Sequence, residues 1–179
     1  MNASEHATTT TTAGTMGKDG AERGSGAFAQ VAGFSVRVAG RIATRVDLQF
    51  AGTEQRQLGL SLGTVLFYLR SHYTAEMVAR GWAAATPLAG SLPGVLMGRR
   101  AGVLTTGPWT VAAMVQLGGA PRVTGGLVEA RAGSEVPRVL RLRVGPVAFD
   151  LCDAAAFTAT LAAWRQAANL LALDGPDID

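Results

Sequence analysis

Arginine is the residue type whose spacing in this chain could do chemistry. Arg141 and Arg143 stand two apart with Arg138 just ahead of them, and Arg37, Arg41, Arg45 and Arg70 form a second set upstream. A guanidinium offers planar, paired donors that match a phosphate group. Residues two apart on a strand share a face, so Arg141 and Arg143 make a basic stripe if they lie on a strand. Tyr68, Tyr73 and Trp109 are the aromatic side chains that could serve as platforms for a stacked base. Between Phe28 and Leu173 there are 14 Arg, no Lys and 7 acidic residues, a balance of +7 against +3 for the whole chain. That balance points to a polyanionic partner.

Other chemistries have less to stand on. His6 and His72 are the two histidines, the first in a polar leader and the second at a helix start. Cys152 is the one cysteine, which leaves no disulfide and no thiolate cluster. At the end of an apolar strand it reads as a small buried hydrophobe. Asp150 and Asp153 flank it, but no third carboxylate or His accompanies them, too few for a metal site. Asp153 reads as a helix N-cap and Asp150 as an outward strand residue. Gly118-Gly119 and Gly125-Gly126 have no following Lys and do not match a phosphate loop; they read as hairpin turns. No enzyme, no cofactor and no metal are expected.

These residues must be held by elements, and the elements recur. LGLSLGTVLFYLRSHYTAEMVARGW at Leu58–Trp82 is echoed 82 positions later by LRLRVGPVAFDLCDAAAFTATLAAW at Leu140–Trp164. The matched skeleton is apolar alternation, a glycine (Gly63, Gly145) and a tryptophan (Trp82, Trp164), the mark of an internal duplication. Each copy opens with a hairpin. A two-residue loop pairs Leu62 with Val65 and Val144 with Val147, and Gly followed by Thr or Pro suits a type II′ turn. A helix follows, capped by Ser71 or Asp153. In the second copy Ala156, Leu161, Trp164, Ala168 and Leu171 form its apolar stripe; in the first, Met77, Val78, Trp82 and Ala85 do so until Pro87 and Gly90. Two more strands precede each hairpin. They are Phe34–Val38 and Val46–Phe50 with a turn at Gly40, and Trp109–Val115 and Val123–Val128 with a turn at Gly118-Gly119.

The fold class expected is therefore α+β: two tandem β-β-β-β-α repeats whose antiparallel sheets pack around a shared core. Residues 1–27 are a disordered Thr/Gly-rich tail, too poor in apolar side chains to repay their ordering. The first repeat covers 28–91 and a connection holding Arg99-Arg100 covers 92–107. The second repeat covers 108–174 and an acidic tail 175–179. The phenylalanines Phe34, Phe50, Phe67 and Phe149 and both helix tryptophans are assigned to the core. No apolar segment follows a basic start and no run of about 18 uncharged apolar residues exists, so a cytoplasmic protein with no membrane contact is expected.

A doubled β4α unit resembles the PUR-repeat proteins and the plant Whirly proteins. That resemblance is one of architecture over Phe34–Leu173, and it implies single-stranded DNA or RNA as the partner. The residues that would bind are Arg37, Arg41, Arg45, Tyr68, Arg70, Arg138, Arg141 and Arg143, as an Arg-lined sheet surface with little sequence preference. A homo-oligomer is expected as well. The alternative is a structural or regulatory scaffold that binds protein through its sheet edges. A ligand pocket between the sheets is a third reading, without convergent polar residues to support it.

Overall fold

The computed structural model describes residues 33–96, 112–130, 132–133, 138–175 and 177. In chain order they form β1 (Phe34–Val38), β2 (Thr44–Gln49), β3 (Gln57–Leu62), β4 (Val65–Leu69), α1 (His72–Ala84) and α2 (Thr86–Ala89). After residues outside the description come β5 (Ala113–Gln116), β6 (Val123–Val128), β7 (Val139–Val144), β8 (Val147–Leu151) and α3 (Ala154–Leu173). Trp109 and Val111, expected to open β5, lie outside the described residues, as do Arg99-Arg100 and residues 1–27.

Both hairpins form in the register that alternation demands. Leu58, Leu60 and Leu62 face Leu69, Phe67 and Val65, and Leu140, Leu142 and Val144 face Leu151, Phe149 and Val147. Gly63 (φ 61°) and Gly145 (φ 55°) take the left-handed first loop position while Thr64 and Pro146 do not. That pattern belongs to a type II′ turn, whose twist matches the strands it joins. Ser71 Oγ accepts the amide of Thr74, and Asp153 Oδ1 that of Ala156, at the starts of α1 and α3. Each cap satisfies a donor that the first helical turn leaves orphaned.

The sheets themselves are not the ones each repeat would build alone. One contains β1-β8-β7-β6 (sheet A) and the other β2-β3-β4-β5 (sheet B). The first strand of each repeat has crossed to the other's sheet, where β1 runs parallel to β8 and β5 parallel to β4. Each sheet is thus mixed, with two antiparallel pairs and one parallel pair, rather than antiparallel throughout. Gly40 and Gly118-Gly119 accordingly end strands that cross between sheets and turn no hairpin. Gly125-Gly126 lies inside β6. Physically, a hairpin fills one edge of β4 or β8 and leaves the other open. The exchanged strand closes that edge and carries Val36 and Val38 onto the core, opposite Phe149 and Leu151.

The helices exchange too. α3 rests on β2 and β3 of the first repeat, α1 on β6 of the second, and the two helices pack on each other. Gly81 permits the α1 approach, since a Cβ there would stand 2.5 Å from the Val123 side chain. The aromatic residues record the same crossing. Trp82 of the first copy packs on Phe149 of the second at 5.6 Å, and Trp164 of the second packs on Phe67 of the first at 5.1 Å. Phe67 and Phe149 meet between them at 6.1 Å. All four are fully buried within one continuous apolar cluster. Truncating a side chain of this size in a core costs about 3–5 kcal/mol. The space between the sheets is therefore filled by rings.

Three residues depart from their expected places. Phe50, assigned to the core, is 59% exposed in the β2–β3 loop with φ 54°, a conformation that L side chains take at a cost. The hairpin loop needs that reversal, and the alternation of β2 stops one residue earlier at Gln49. Gly175 and Asp177, assigned to a tail, are hydrogen-bonded to the first repeat.

Candidate nucleic-acid interface

With core residues facing inward, alternate strand positions supply the outer faces. On sheet A the pairing lays out two rows across four strands. One row runs Gly126, Arg141, Asp150, Arg37, and the next Thr124, Arg143, Ala148, Ser35. Arg141, Arg143 and Arg37 are thus brought to one face, although Arg37 comes from the other repeat. Arg138, just ahead of β7, instead has the alternation parity of core-facing Leu140 and Leu142.

On sheet B, Arg45 and Asp47 stand on β2, opposite Ser61 and Gly59. Tyr68 lies beside Gly59, its ring edge 3.9 Å from where a Cβ would stand, a covering of bare glycine backbone that stabilises a sheet. Arg70 follows β4. Arg41 is exposed in the β1–β2 connection that passes between the sheets. The upstream set Arg37, Arg41, Arg45 and Arg70 is therefore divided between two sheets that face away from one shared core. Tyr73 is half-exposed at the start of α1, off both faces.

The charges on these faces are largely committed. Arg45 Nε pairs with Asp47 at 2.6 Å and Arg138 Nε with Glu129 at 2.9 Å. Arg70 donates to the Glu54 carbonyl at 2.6 Å. The central pairing is on sheet A. Arg141 donates Nε to Asp150 Oδ1 at 2.7 Å and Nη2 to Oδ2 at 2.9 Å, and Arg37 Nη2 lies 3.7 Å from the same Oδ2. Asp150 is only 4% exposed, whereas its partners are 44% and 41% exposed. A buried carboxylate is tolerated because charged donors meet it. The hydrogen bond to Asp150, and then its charge, raise the pKa of Arg141 above the ordinary value.

That geometry leaves usable donors. Asp150 occupies the Nε/Nη2 edge of Arg141, and no acceptor among the described residues takes the Nη1/Nη2 edge, which could receive a second bidentate acceptor such as a phosphate. Among the described residues Arg37 is held by one long contact. Arg143 has no acidic partner among the described residues, and its cross-strand neighbours Thr124 and Ala148 are small and uncharged. The three guanidiniums and one carboxylate leave two positive charges on this patch.

Asp150 was expected only as an outward strand residue, yet the hairpin register that pairs Leu140 with Leu151 also sets Arg141 opposite it. Buried Arg56 had no such signal; besides the nearby Arg70 carbonyl, its partners Gly175 and Asp177 lie more than 100 positions away. Cys152 is fully buried beside Leu96, Val139 and Ala39. Burial, its largest cause, pushes the thiol up to about 11, which leaves it protonated and inert at neutral pH. Asp153 is spent as a structural acceptor, its Oδ2 taking the amides of Gly40 and Leu96. A groove of about 290 Å³ lies between α1 and α3, away from both sheet faces, with Glu76, Arg80 and Arg165 on its walls.

No family model, no curated protein and no solved structure matches this chain.

Proposed function

We propose that the chain binds single-stranded nucleic acid, DNA or RNA, through its phosphates on the outer face of sheet A, with little preference for base sequence. The observation that carries this reading is the pair Arg37 and Arg141 around one buried carboxylate, with Arg143 in the next row of the same face. Small neighbours (Ser35, Thr124, Gly126) leave a backbone room to approach beside buried Ala148 and Asp150. Tyr68, the one candidate stacking ring on a described sheet face, lies on sheet B. Phosphate contact without stacking on sheet A gives affinity with little readout of the bases.

Titration of labelled single-stranded DNA and RNA against salt tests it. Three phosphate contacts give a logarithmic salt slope of about −2, at roughly 0.7 per contact on a single strand. Arg143→Glu should weaken binding to all sequences alike. Absent binding at low salt, or binding that ignores salt, overturns the reading.

A second reading, an oligomeric scaffold that binds protein, is favoured by sheet B. Its outer face sets Met114, 69% exposed, beside Leu66 and Tyr68. Apolar groups gathered on an open sheet mark protein contact more than nucleic-acid contact. Light scattering after size exclusion separates the two readings, and a monomer unaffected by Met114→Lys speaks against the scaffold.

A further inference from the structure

The 82-residue echo extends past the helices into the segments that follow them. At the start of α3 the amides of Ala154 and Ala155 donate to the carbonyls of Pro93 and Gly94, at 2.8 and 3.1 Å, in the stretch after α2. The equivalent amides at the start of α1 belong to His72 and Tyr73. They donate to Asp177, just after α3, at 2.6 Å to Oδ1 and 2.9 Å to Oδ2. Each helix start is therefore closed by the segment that trails the other repeat's helix. In one case main-chain carbonyls do the closing, and in the other a side-chain carboxylate.

The carboxylate version is the more elaborate. Asp177 also accepts from Ser71 Oγ at 2.7 Å and from Arg56 Nη2 at 2.9 Å. Arg56 is only 3% exposed, and its other donors go to the carbonyls of Gly175 at 3.0 Å and Arg70 at 3.2 Å. Asp174 adds a bond from the Gly52 amide at 2.8 Å. Four donors converge on one carboxylate at a helix start, where the peptide dipoles also favour negative charge.

We propose that Asp174, Gly175 and Asp177 form a strap: a clasp from the second repeat that closes on Arg56, Ser71 and the first turn of α1, and that opens without unfolding the sheets. Its hold is polar and peripheral, whereas the sheets are held by the buried aromatic cluster, so the two separate energetically. Opening exposes the Arg56 guanidinium and two helix-start amides together. The strap thus sets whether the first repeat presents a covered or a bare anion-accepting corner. This inference does not depend on the proposed function.

Amide hydrogen exchange on the full chain reads the clasp directly. The first amides of a helix have no intrahelical acceptor, so protection at His72 and Tyr73 reports the docked strap. Ala154 and Ala155 provide the matched control in the same molecule. In the wild type both pairs should be protected, and the first pair should open at lower denaturant than the β3–β4 and β7–β8 hairpins. In Asp177→Ala, exchange at His72 and Tyr73 should rise at least tenfold while the control pair keeps its rate. Asp177→Asn, which preserves shape, should show the same selectivity if the alanine variant is poorly soluble. Unprotected His72 and Tyr73 amides in the wild type, or a uniform loss of protection across both pairs in the variants, would overturn the proposal.

Discussion

Replacing Arg141 with Ala should destabilise the fold far more than replacing Arg37, though both touch Asp150 and are about equally exposed. Removing one member of a fully buried ion pair costs about 3–5 kcal/mol, because the other charge stays behind unpaired. Exposed pairs are worth about 0.2–1 kcal/mol. Here the carboxylate is 4% exposed and the guanidinium 44%, so the loss falls between those limits, at about 2 kcal/mol. Among the described residues Arg37 makes one 3.7 Å contact, too long for a good hydrogen bond, and its removal should cost under about 1 kcal/mol. Asp150→Ala leaves two arginines that water can reach, so it should cost about 1 kcal/mol. The double variant lacking both Arg141 and Asp150 should resemble Asp150→Ala, with a coupling of about 1–2 kcal/mol. Urea unfolding with a constant m-value measures all four. A coupling below about 0.3 kcal/mol, or equal costs for Arg141→Ala and Arg37→Ala, would refute the account of Asp150 as a buried charge that needs Arg141.

Gly125→Ala should prevent folding, because φ is +153° there and a Cβ would lie 1.8 Å from the Arg141 carbonyl oxygen. Gly126→Ala, with nothing within 4 Å, should be tolerated; soluble expression and circular dichroism compare the two. Phe50→Asn should raise stability by about 0.5–1 kcal/mol in thermal melts, since asparagine accepts the left-handed conformation and the ring is mostly in water. Asp177 should make stability acid-sensitive. Burial raises its pKa, but hydrogen bonds from Tyr73, Ser71 and His72, with the charge of Arg56, bring it below the ordinary 3.8. A depressed carboxylate stabilises above its unfolded pKa and loses that contribution as pH falls through its folded one. The stability gap between wild type and Asp177→Asn should therefore be full at neutral pH and close in acid below 3.8, as chemical denaturation at several pH values would show.

What could be read from the residues themselves was whatever depends on near neighbours. Alternation in Leu140–Val144 and Val147–Leu151, with Gly145 between, specifies hairpin, register and turn in one stroke, because a two-residue loop admits one pairing. Ser71 and Asp153 declare helix starts, since a short polar side chain there meets orphan amides. Equivalent tryptophans declare a shared core. Period-two alternation says which side of a strand is apolar but not which strand lies beside it, and the crossing of β1 and β5 escaped for that reason. The same limit divided the arginine set. Arg37 joined Arg141 and Arg143 only because its strand moved to the other repeat's sheet, and Arg45 and Arg70 stayed behind. Asp150 was half legible: the hairpin register sets it against Arg141, while its burial and its contact with Arg37 required the exchanged strand. The duplication and its local geometry belong to the sequence. The identity of each strand's neighbour, the committed charges and the docking of Asp177 were decided by tertiary structure, where open edges and unpaired donors find partners that no local pattern names.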